Sequence, residues 1–192
     1  MSDSKWDILK TKELISNRYI SLYKDKVRLP DGMIVEDFYR VTVPNSSAIV
    51  ALTDEMNIVL IRQYRYCYGK ELIELPSGVL EDNEYDPLDV ARRELLEETG
   101  YSSENWTYLG ATIENAAKMT NYAHMFMATG CVKKRKQELD VTENIDVVVI
   151  PFEEAIAKVM KGEIMCSGPA YAILKAERLL KERNSENQSW HN

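Results

Sequence analysis

The sequence predicts an α+β protein in which a small N-terminal antiparallel β-sheet precedes a larger domain of strands and helices. Two sets of strand-like segments, on either side of residue 43, are the first indication. The N-terminal set covers residues 8–16, 19–28 and 34–43, and the second set covers 46–53, 58–66, 71–75, 106–114, 122–130 and 143–150. Helices are expected only in the second part, at 87–99, 152–161 and 168–183.

A hairpin signal supports the antiparallel arrangement of the N-terminal sheet. The turn Leu29-Pro30-Asp31-Gly32-Met33 joins two of its strands, and it combines a proline that presets φ with a glycine that accepts a positive φ. We therefore expect an N-terminal sheet region over residues 1–43 and a larger domain over 44–183. The polar residues 184–192 are expected to form a disordered tail.

Composition and charge narrow the class of protein. A chain of 192 residues suits one domain with a small appendage. The net charge of −7 argues against a nucleic-acid-binding surface, and the basic run at residues 133–136 is interpreted as a solvated loop. The three cysteines are scattered, the first residues lack the apolar core of a signal peptide, and no apolar run approaches membrane-spanning length. We expect a cytoplasmic protein without nucleic-acid or membrane partners.

The helix predicted at 87–99 has clear end signals. Asp86 is a good N-cap, Pro87 occupies the first helical position, and Gly100 is the residue expected just past the last turn. Leu88, Ala91 and Leu95 share an apolar stripe with which the helix can dock on a sheet.

Three carboxylates on this helix carry the first functional signal. Glu94, Glu97 and Glu98 are spaced i, i+3 and i+4, so they share one face although like charges at that spacing destabilise a helix by a few tenths of a kcal/mol per pair. A hard divalent cation such as Mg²⁺ prefers oxygen ligands of this kind. The alternative for this motif alone is an ordinary solvated amphipathic helix.

The neighbourhood of these glutamates resembles the Nudix box of the Nudix hydrolase superfamily. The resemblance covers Glu74-Leu75-Pro76-Ser77-Gly78, a loop, and Arg93-Glu94-Leu95-Leu96-Glu97-Glu98-Thr99-Gly100-Tyr101. Eight residues instead of seven separate Glu84 from Arg93, which indicates a one-residue insertion near Tyr85 that leaves the helix untouched.

Segments outside the box are similar to the ADP-ribose pyrophosphatase and nucleoside diphosphate-sugar hydrolase branch. They are residues 48–52, 58–65 and 162–164, and the likeness covers roughly residues 10–182. It implies the α/β/α sandwich of the Nudix fold and Mg²⁺-dependent hydrolysis of a diphosphate bond, with Mn²⁺ as a second candidate metal. It also implies a homodimer that packs through the N-terminal sheet, because a sheet that small needs a partner to bury its apolar face.

The same resemblance assigns roles to individual residues. The expected metal ligands are Glu94, Glu97, Glu98 and the backbone carbonyl of Ser77. Arg93 is expected to anchor a glutamate carboxylate, as a planar guanidinium does well. The catalytic set is therefore Arg93, Glu97, Glu98 and Glu143.

Glu143 lies where the branch supplies a further carboxylate from a mobile loop, to bind a metal or to activate the attacking water. Glu138 and Asp140 are the alternatives for this role, and a charged strand edge is the structural interpretation of all three.

Substrate binding is assigned to Arg40, Arg65 and Glu74, with surface ion pairing as the alternative for the arginines. Where the branch usually has Pro-Gly and a glutamate, residues 115–121 read Asn-Ala-Ala-Lys-Met-Thr-Asn. The predicted substrate is therefore a nucleoside diphosphate-linked small molecule, with ADP-ribose, ADP-glucose, GDP-mannose and UDP-sugars all open. Three alternative functions also stay open: another nucleotide pyrophosphohydrolase, a ligand-sensing domain, and a partner-binding module with a vestigial site.

Overall fold

The structure is a computed structural model that describes residues 4–81, 84–141 and 143–189. Its contacts divide the chain into two compact units. The first unit contains the residues up to Asn45 together with Ile113–Tyr122, and the second contains Ser46–Thr112 and the residues from Ala123 onward. The segment 113–122 therefore belongs with the N-terminal residues although it lies far along the chain.

The first unit is built on an antiparallel sheet with the order β1-β2-β3. Its strands are β1 (Asp7–Ser16), β2 (Ser21–Arg28) and β3 (Ile34–Thr42). The predicted hairpin turn is confirmed: the N–H of Leu29 donates to the carbonyl of Met33 at 2.8 Å, and Gly32 has a φ of +87°. All ten residues of β1 are exposed, so this strand contributes no side chain to a core within the chain.

A seven-stranded sheet forms the centre of the second unit, with the order β12-β5-β4-β10-β9 and with β6 and β7 paired to β5 and β4. The strands are β4 (Ser46–Leu52), β5 (Asn57–Arg65), β6 (Lys70–Glu74), β7 (Ser77–Val79), β9 (Asn105–Thr112), β10 (Ala123–Thr129) and β12 (Ile145–Pro151). β10 runs parallel to β4, and the other pairs are antiparallel. A separate two-stranded ribbon joins β8 (Tyr101–Ser102) to β11 (Val132–Lys133).

Both faces of this sheet are covered by helices. Side chains of one strand alternate between the faces, so Val50 and Leu52 of β4 pack with the helices α2 (Phe152–Met160) and α3 (Ser167–Ser189). Ile49 and Ala51 point the other way and pack with α1 (Pro87–Thr99). The result is the predicted α/β/α sandwich, and the α+β class with a separate N-terminal sheet is confirmed. None of the described helices is long and apolar enough to cross a lipid bilayer.

The ends of α1 follow the predicted signals. The Asp86 side chain accepts a hydrogen bond from the N–H of Leu88 at 2.9 Å, and the N–H of Gly100 donates to the carbonyl of Leu96 at 2.9 Å. Gly100 has a φ of +75°, a conformation that favours glycine.

Helix α3 extends past residue 183, where the sequence predicted it to end, and continues to Ser189. The ion pairs Glu177–Lys181 and Arg178–Glu182 are spaced i, i+4 and stabilise the turns of the helix just before residue 183. Residues 190–192 of the predicted tail lie outside the described residues.

Candidate active site

The three glutamates of α1 differ in their surroundings. Glu94 and Glu98 are buried, with 8% and 3% of their surface exposed, whereas Glu97 is half-buried. Gly78 makes room for Glu94, because a Cβ at that position would lie 1.7 Å from Glu94 Oε1. The glycine of the box therefore permits a buried carboxylate next to a strand backbone.

Arg93 gathers three carboxylates. Its Nε and Nη2 donate to the two oxygens of Glu84 at 2.8 and 3.0 Å, and its Nη1 donates to Glu94 Oε1 at 2.8 Å and to Glu97 Oε2 at 3.0 Å. The guanidinium lowers the pKa of the Glu84 carboxyl, and these acids together raise the pKa of Arg93. The extra residue in the box loop thus leaves Glu84 within reach of Arg93, in a paired fork that suits a guanidinium.

Glu98 has a backbone partner. Its Oε2 accepts a hydrogen bond from the N–H of Ser77 at 2.8 Å, which ties α1 to the start of β7. Burial raises the pKa of Glu98 to about 8 and the pKa of Glu94 to about 7, and the negative charges of neighbouring carboxylates, Glu143 among them, act in the same direction. The fold therefore holds two acids in a place where the charged form is disfavoured.

A cavity of about 880 Å³ opens beside α1 in the second unit. Acidic side chains dominate its lining, and Arg65 and Arg93 supply its positive charge. The lining residues are Ser46, Arg65, Ser77, Gly78, Val79, Glu81, Glu84, Arg93, Glu94, Glu97, Glu138, Leu139, Asp140 and Glu143. Glu98 is not among them, because it is buried behind the wall against Ser77.

The three candidates for a carboxylate supplied by a loop, Glu138, Asp140 and Glu143, all reach this cavity. Glu143 closes a local turn in which its N–H donates to the carbonyl of Asp140 and its Oε2 accepts from the N–H of Asp140, both at 2.9 Å. Glu138 instead forms an ion pair with Arg135. Among the three, Glu143 has its carboxylate fixed by the backbone of the loop.

Arg65 faces the cavity from the end of β5 and is held from behind by Glu74. Arg65 Nε donates to Glu74 Oε2 at 2.7 Å, and the thiol of Cys166 donates to Glu74 Oε1 at 3.1 Å. Glu74 is buried and does not itself line the cavity. Among its described contacts, Arg65 is the residue that reaches the cavity.

Arg40 belongs to the first unit, whereas the residues described so far belong to the second. Its Nε donates to Asp25 Oδ2 at 2.7 Å, and its guanidinium lies 4.1 Å from the ring centroid of Tyr23. Asp25 is buried, and its Oδ1 has no hydrogen-bond partner.

The donor set around α1 suits a hard divalent cation in chemistry, since it consists of carboxylate and carbonyl oxygens. Within the described residues, no three Asp, Glu, His or Cys side chains already converge as a metal site. The reason is visible in the hydrogen bonds: Glu94 and Glu97 are turned to Arg93, and Glu98 is turned to Ser77.

Two contacts of the site have no counterpart in a sequence motif. Gln137 bonds across 39 residues to the carbonyl of Glu98, and Cys166 bonds across 92 residues to Glu74. Neither contact can be predicted from the polarity and spacing of neighbouring residues, because the partners are brought together only by the packing of β6, α1 and α3.

Comparison with known families and proteins agrees with this geometry. A family described as the NUDIX domain matches residues 43–165, and one described as the nucleoside diphosphate sugar hydrolase N-terminal domain matches residues 6–41. The chain is 33% identical over 178 residues to the methanol dehydrogenase activator of Bacillus methanolicus, which covers 91% of this chain and 95% of that protein. It is 33% identical over 163 residues to the ADP-ribose pyrophosphatase of Bacillus subtilis, with 84% and 87% covered.

A solved structure of an ADP compounds hydrolase has the same fold. It superposes with a TM-score of 0.81 at 18% identity and covers 93% of this chain and 96% of that one. The sandwich, the box helix with its buried glutamates and the family matches lead to one conclusion. The chain belongs to the Nudix hydrolase family.

Proposed function

We propose that this Nudix hydrolase cleaves the diphosphate bond of a nucleoside diphosphate-sugar and releases a nucleoside monophosphate and a sugar phosphate. The observation that carries this proposal is that Glu94, Glu97, Glu143 and Arg65 line one cavity. The similarity to an ADP-ribose pyrophosphatase over most of both chains supports it. ADP-ribose or an ADP-hexose is the leading substrate.

Nudix hydrolases generally require divalent metal ions, and we propose Mg²⁺, with Mn²⁺ as the substitute. Glu94, Glu97, Glu98 and the carbonyl of Ser77 would hold it, since buried acids whose charged form is disfavoured gain most from a nearby cation. When bound, such a cation neutralises the charge of a diphosphate and acidifies water near it.

The chain's own residues would carry the remaining work. Glu143 would accept the proton of the attacking water, a contribution typically worth about 10²–10⁴ in rate. Arg93 would keep the carboxylates of the box in order, through the hydrogen bonds it makes to them. Arg65, oriented by Glu74, would bind the phosphates, because two hydrogen bonds from one guanidinium match a phosphate group. Arg40 would bind the nucleotide portion.

The test is hydrolysis of a panel of nucleoside diphosphate compounds and nucleoside triphosphates with Mg²⁺, with Mn²⁺ and with EDTA. We expect metal-dependent release of two monophosphates from a nucleoside diphosphate-sugar, identified by mass. A preference for triphosphates with release of pyrophosphate would overturn the proposed substrate class and favour the alternative of a general nucleotide pyrophosphohydrolase.

One comparison favours a second candidate function. The methanol dehydrogenase activator matches the chain over nearly its whole length, so a role in modulating another enzyme is also compatible with this fold. The two functions differ in turnover: a partner-binding protein would bind ligand in the same panel without releasing monophosphates.

We further propose that the first unit forms a homodimer through its sheet. Ile8 and Ile15 of β1 are 63% and 55% exposed, and Leu9 and Leu14 of the same strand are exposed as well. Exposed apolar side chains that occur together mark protein–protein interaction sites. We expect light scattering to give twice the chain mass of 22.1 kDa at micromolar concentration. Replacing both isoleucines with lysine should give monomers, whereas Lys10→Ala on the same strand should not. A wild-type monomer would contradict the proposal.

A further inference from the structure

We propose that Gln137 is a positioning residue: its side-chain amide fastens the loop between β11 and β12 to the end of α1 and thereby holds Glu143 at the cavity. This loop spans residues 134–144, of which Thr142 lies outside the described residues. The inference rests on the proposed function in one respect, the use of Glu143 as the base.

The geometry of the amide is specific. Gln137 Nε2 donates to the carbonyl oxygen of Glu98 at 2.6 Å and to the carbonyl oxygen of Ile145 at 3.0 Å. Because both neighbours are acceptors, only the NH₂ group can face them, and its two protons serve both. One side chain thus connects the last turn of α1 to the first residue of β12. We call this pair of hydrogen bonds the Gln137 clasp.

The clasp is part of a larger attachment at the same helix end. The last carbonyls of a helix lack partners within the helix, and here the loop supplies them. The N–H of Glu138 donates to the carbonyl of Glu97 at 2.9 Å, and the N–H of Lys134 donates to the carbonyl of Gly100 at 2.8 Å. Gly100 is required for this approach, because a Cβ there would lie 2.1 Å from the carbonyl oxygen of Arg135. The first part of the loop is therefore hydrogen-bonded to the C-terminal end of α1, the helix that carries the box glutamates.

The other end of the loop is buried. Ile145 pairs with Gln63 in the main sheet, and its side chain lies in the core. Between Gln137 and Ile145, the loop brings Glu138, Asp140 and Glu143 to the cavity, and Glu138 and Asp140 are exposed. Because the loop is attached at both ends, it has less conformational freedom than a free segment of the same length. Removing the clasp would break the hydrogen bonds of the Gln137 side chain to the carbonyls of Glu98 and Ile145 and would let Glu143 shift.

Such a shift should act on catalysis more than on binding. A displacement of about 1 Å in a catalytic group can cost roughly 10²-fold in rate. Arg65, which we assign to the substrate, belongs to β5 and makes no described hydrogen bond to the loop. Gln137 therefore differs from a general stability residue: its loss should lower kcat and leave KM nearly unchanged.

The experiment compares Gln137→Met, which keeps the length and volume but removes both donors, with Lys136→Ala, an exposed neighbour in the same loop. We expect kcat for the best nucleoside diphosphate-sugar to fall about 10- to 100-fold in Gln137→Met, with KM within about threefold. Lys136→Ala should match the wild type. An unchanged kcat, or a change carried by KM, would overturn the proposal.

A double mutant separates positioning from structural damage. If Gln137 acts through Glu143, Gln137→Met should lower kcat by less than about twofold in a Glu143→Gln background, since coupled residues are not additive. Full additivity would overturn the inference.

Hydrogen exchange gives a readout that needs no turnover. In Gln137→Met the amides of Glu138 and Asp140, both hydrogen-bonded in the wild type, should exchange at least about tenfold faster, while those of the core strands β4 and β10 stay protected. Unchanged protection would overturn the clasp even in a protein that hydrolyses its substrate. Absence of hydrolysis in the wild type, with the exchange pattern as expected, would instead refute only the proposed function.

Discussion

Two groups of charged side chains, in and behind two walls of the cavity, are compensated to different extents. On the acidic side, the three glutamates of α1 share the single guanidinium of Arg93 and one backbone N–H, and burial raises the pKa of two of them. On the arginine side, the one buried carboxylate, Glu74, is matched by Arg65 and by the thiol of Cys166. The acidic side holds more negative charge than its partners compensate, and the arginine side is paired.

The difference indicates that the two sides have different functions. Buried charge without full compensation destabilises a fold, so it is found mainly where function requires it. The missing compensation on the acidic side is what a cation would supply when it binds. On the arginine side Arg65 is already paired with Glu74, and in the proposed function the oriented guanidinium binds an anionic ligand. Mutations on the two sides should therefore affect different kinetic constants.

The largest effect is expected on the acidic side. Glu98→Gln and Glu97→Gln should each lower kcat by about 10²-fold or more, because in the proposed function each removes a metal ligand and a charge needed in the transition state. The fold should persist, since each change removes one of several mutually repelling charges. Turnover and circular dichroism measured on the same samples check this prediction. Near-normal turnover in both variants would contradict the expectation that the acidic side determines kcat.

The acidic side was predictable from sequence because its signals are local. An N-cap, a first-turn proline, a C-terminal glycine and an i, i+3, i+4 spacing all lie within one helix and its ends, and the structure has α1 at the expected residues 87–99. Six of the seven strands of the main sheet were predictable for the same reason, from hydrophobic runs bounded by turns.

The supporting contacts were not predictable, because they join residues far apart in the chain. The pairing of Arg65 with Glu74 depends on the register between β5 and β6, and the Gln137 clasp depends on where α1 ends relative to β12. The short strands β7, β8 and β11 were also missed, since two or three residues carry no measurable periodicity.

A smaller effect is expected on the arginine side. Arg65→Ala should raise KM about tenfold or more and lower kcat by less, because it removes binding that is present in both the ground state and the transition state. Arg65→Lys should recover only part of the affinity, since an ammonium group cannot reproduce the guanidinium fork. Arg92, exposed on α1 and paired with Asp89, is the matched control, and Arg92→Ala should leave both constants unchanged.

Steady-state kinetics on the wild type, Arg65→Ala, Arg65→Lys, Arg92→Ala and Glu98→Gln would sharpen the comparison. A kcat loss in Arg65→Ala as large as that in Glu98→Gln, with KM unchanged, would place Arg65 on the catalytic side of the cavity.

The smallest effect concerns the pH dependence of stability in the metal-free protein. The pKa values of Glu94 and Glu98, about 7 and about 8, lie above the ordinary value of 4.5, so the folded state favours their protonated forms. Their contribution to stability is therefore full below pH 4.5 and is lost as the pH rises through 7 and 8. We expect the Tm in EDTA to fall by about 5 °C or more between pH 6 and pH 9.

Two comparisons test whether this slope of Tm against pH comes from the acidic side. Glu98→Gln should flatten it, because an amide does not titrate, whereas Glu104→Gln, a change at an exposed glutamate, should leave it as in the wild type. Mg²⁺ should raise the Tm most at the alkaline end, where the carboxylates are charged and bind the cation without first releasing a proton. A slope that is identical in Glu98→Gln and the wild type would show that the uncompensated charge lies elsewhere.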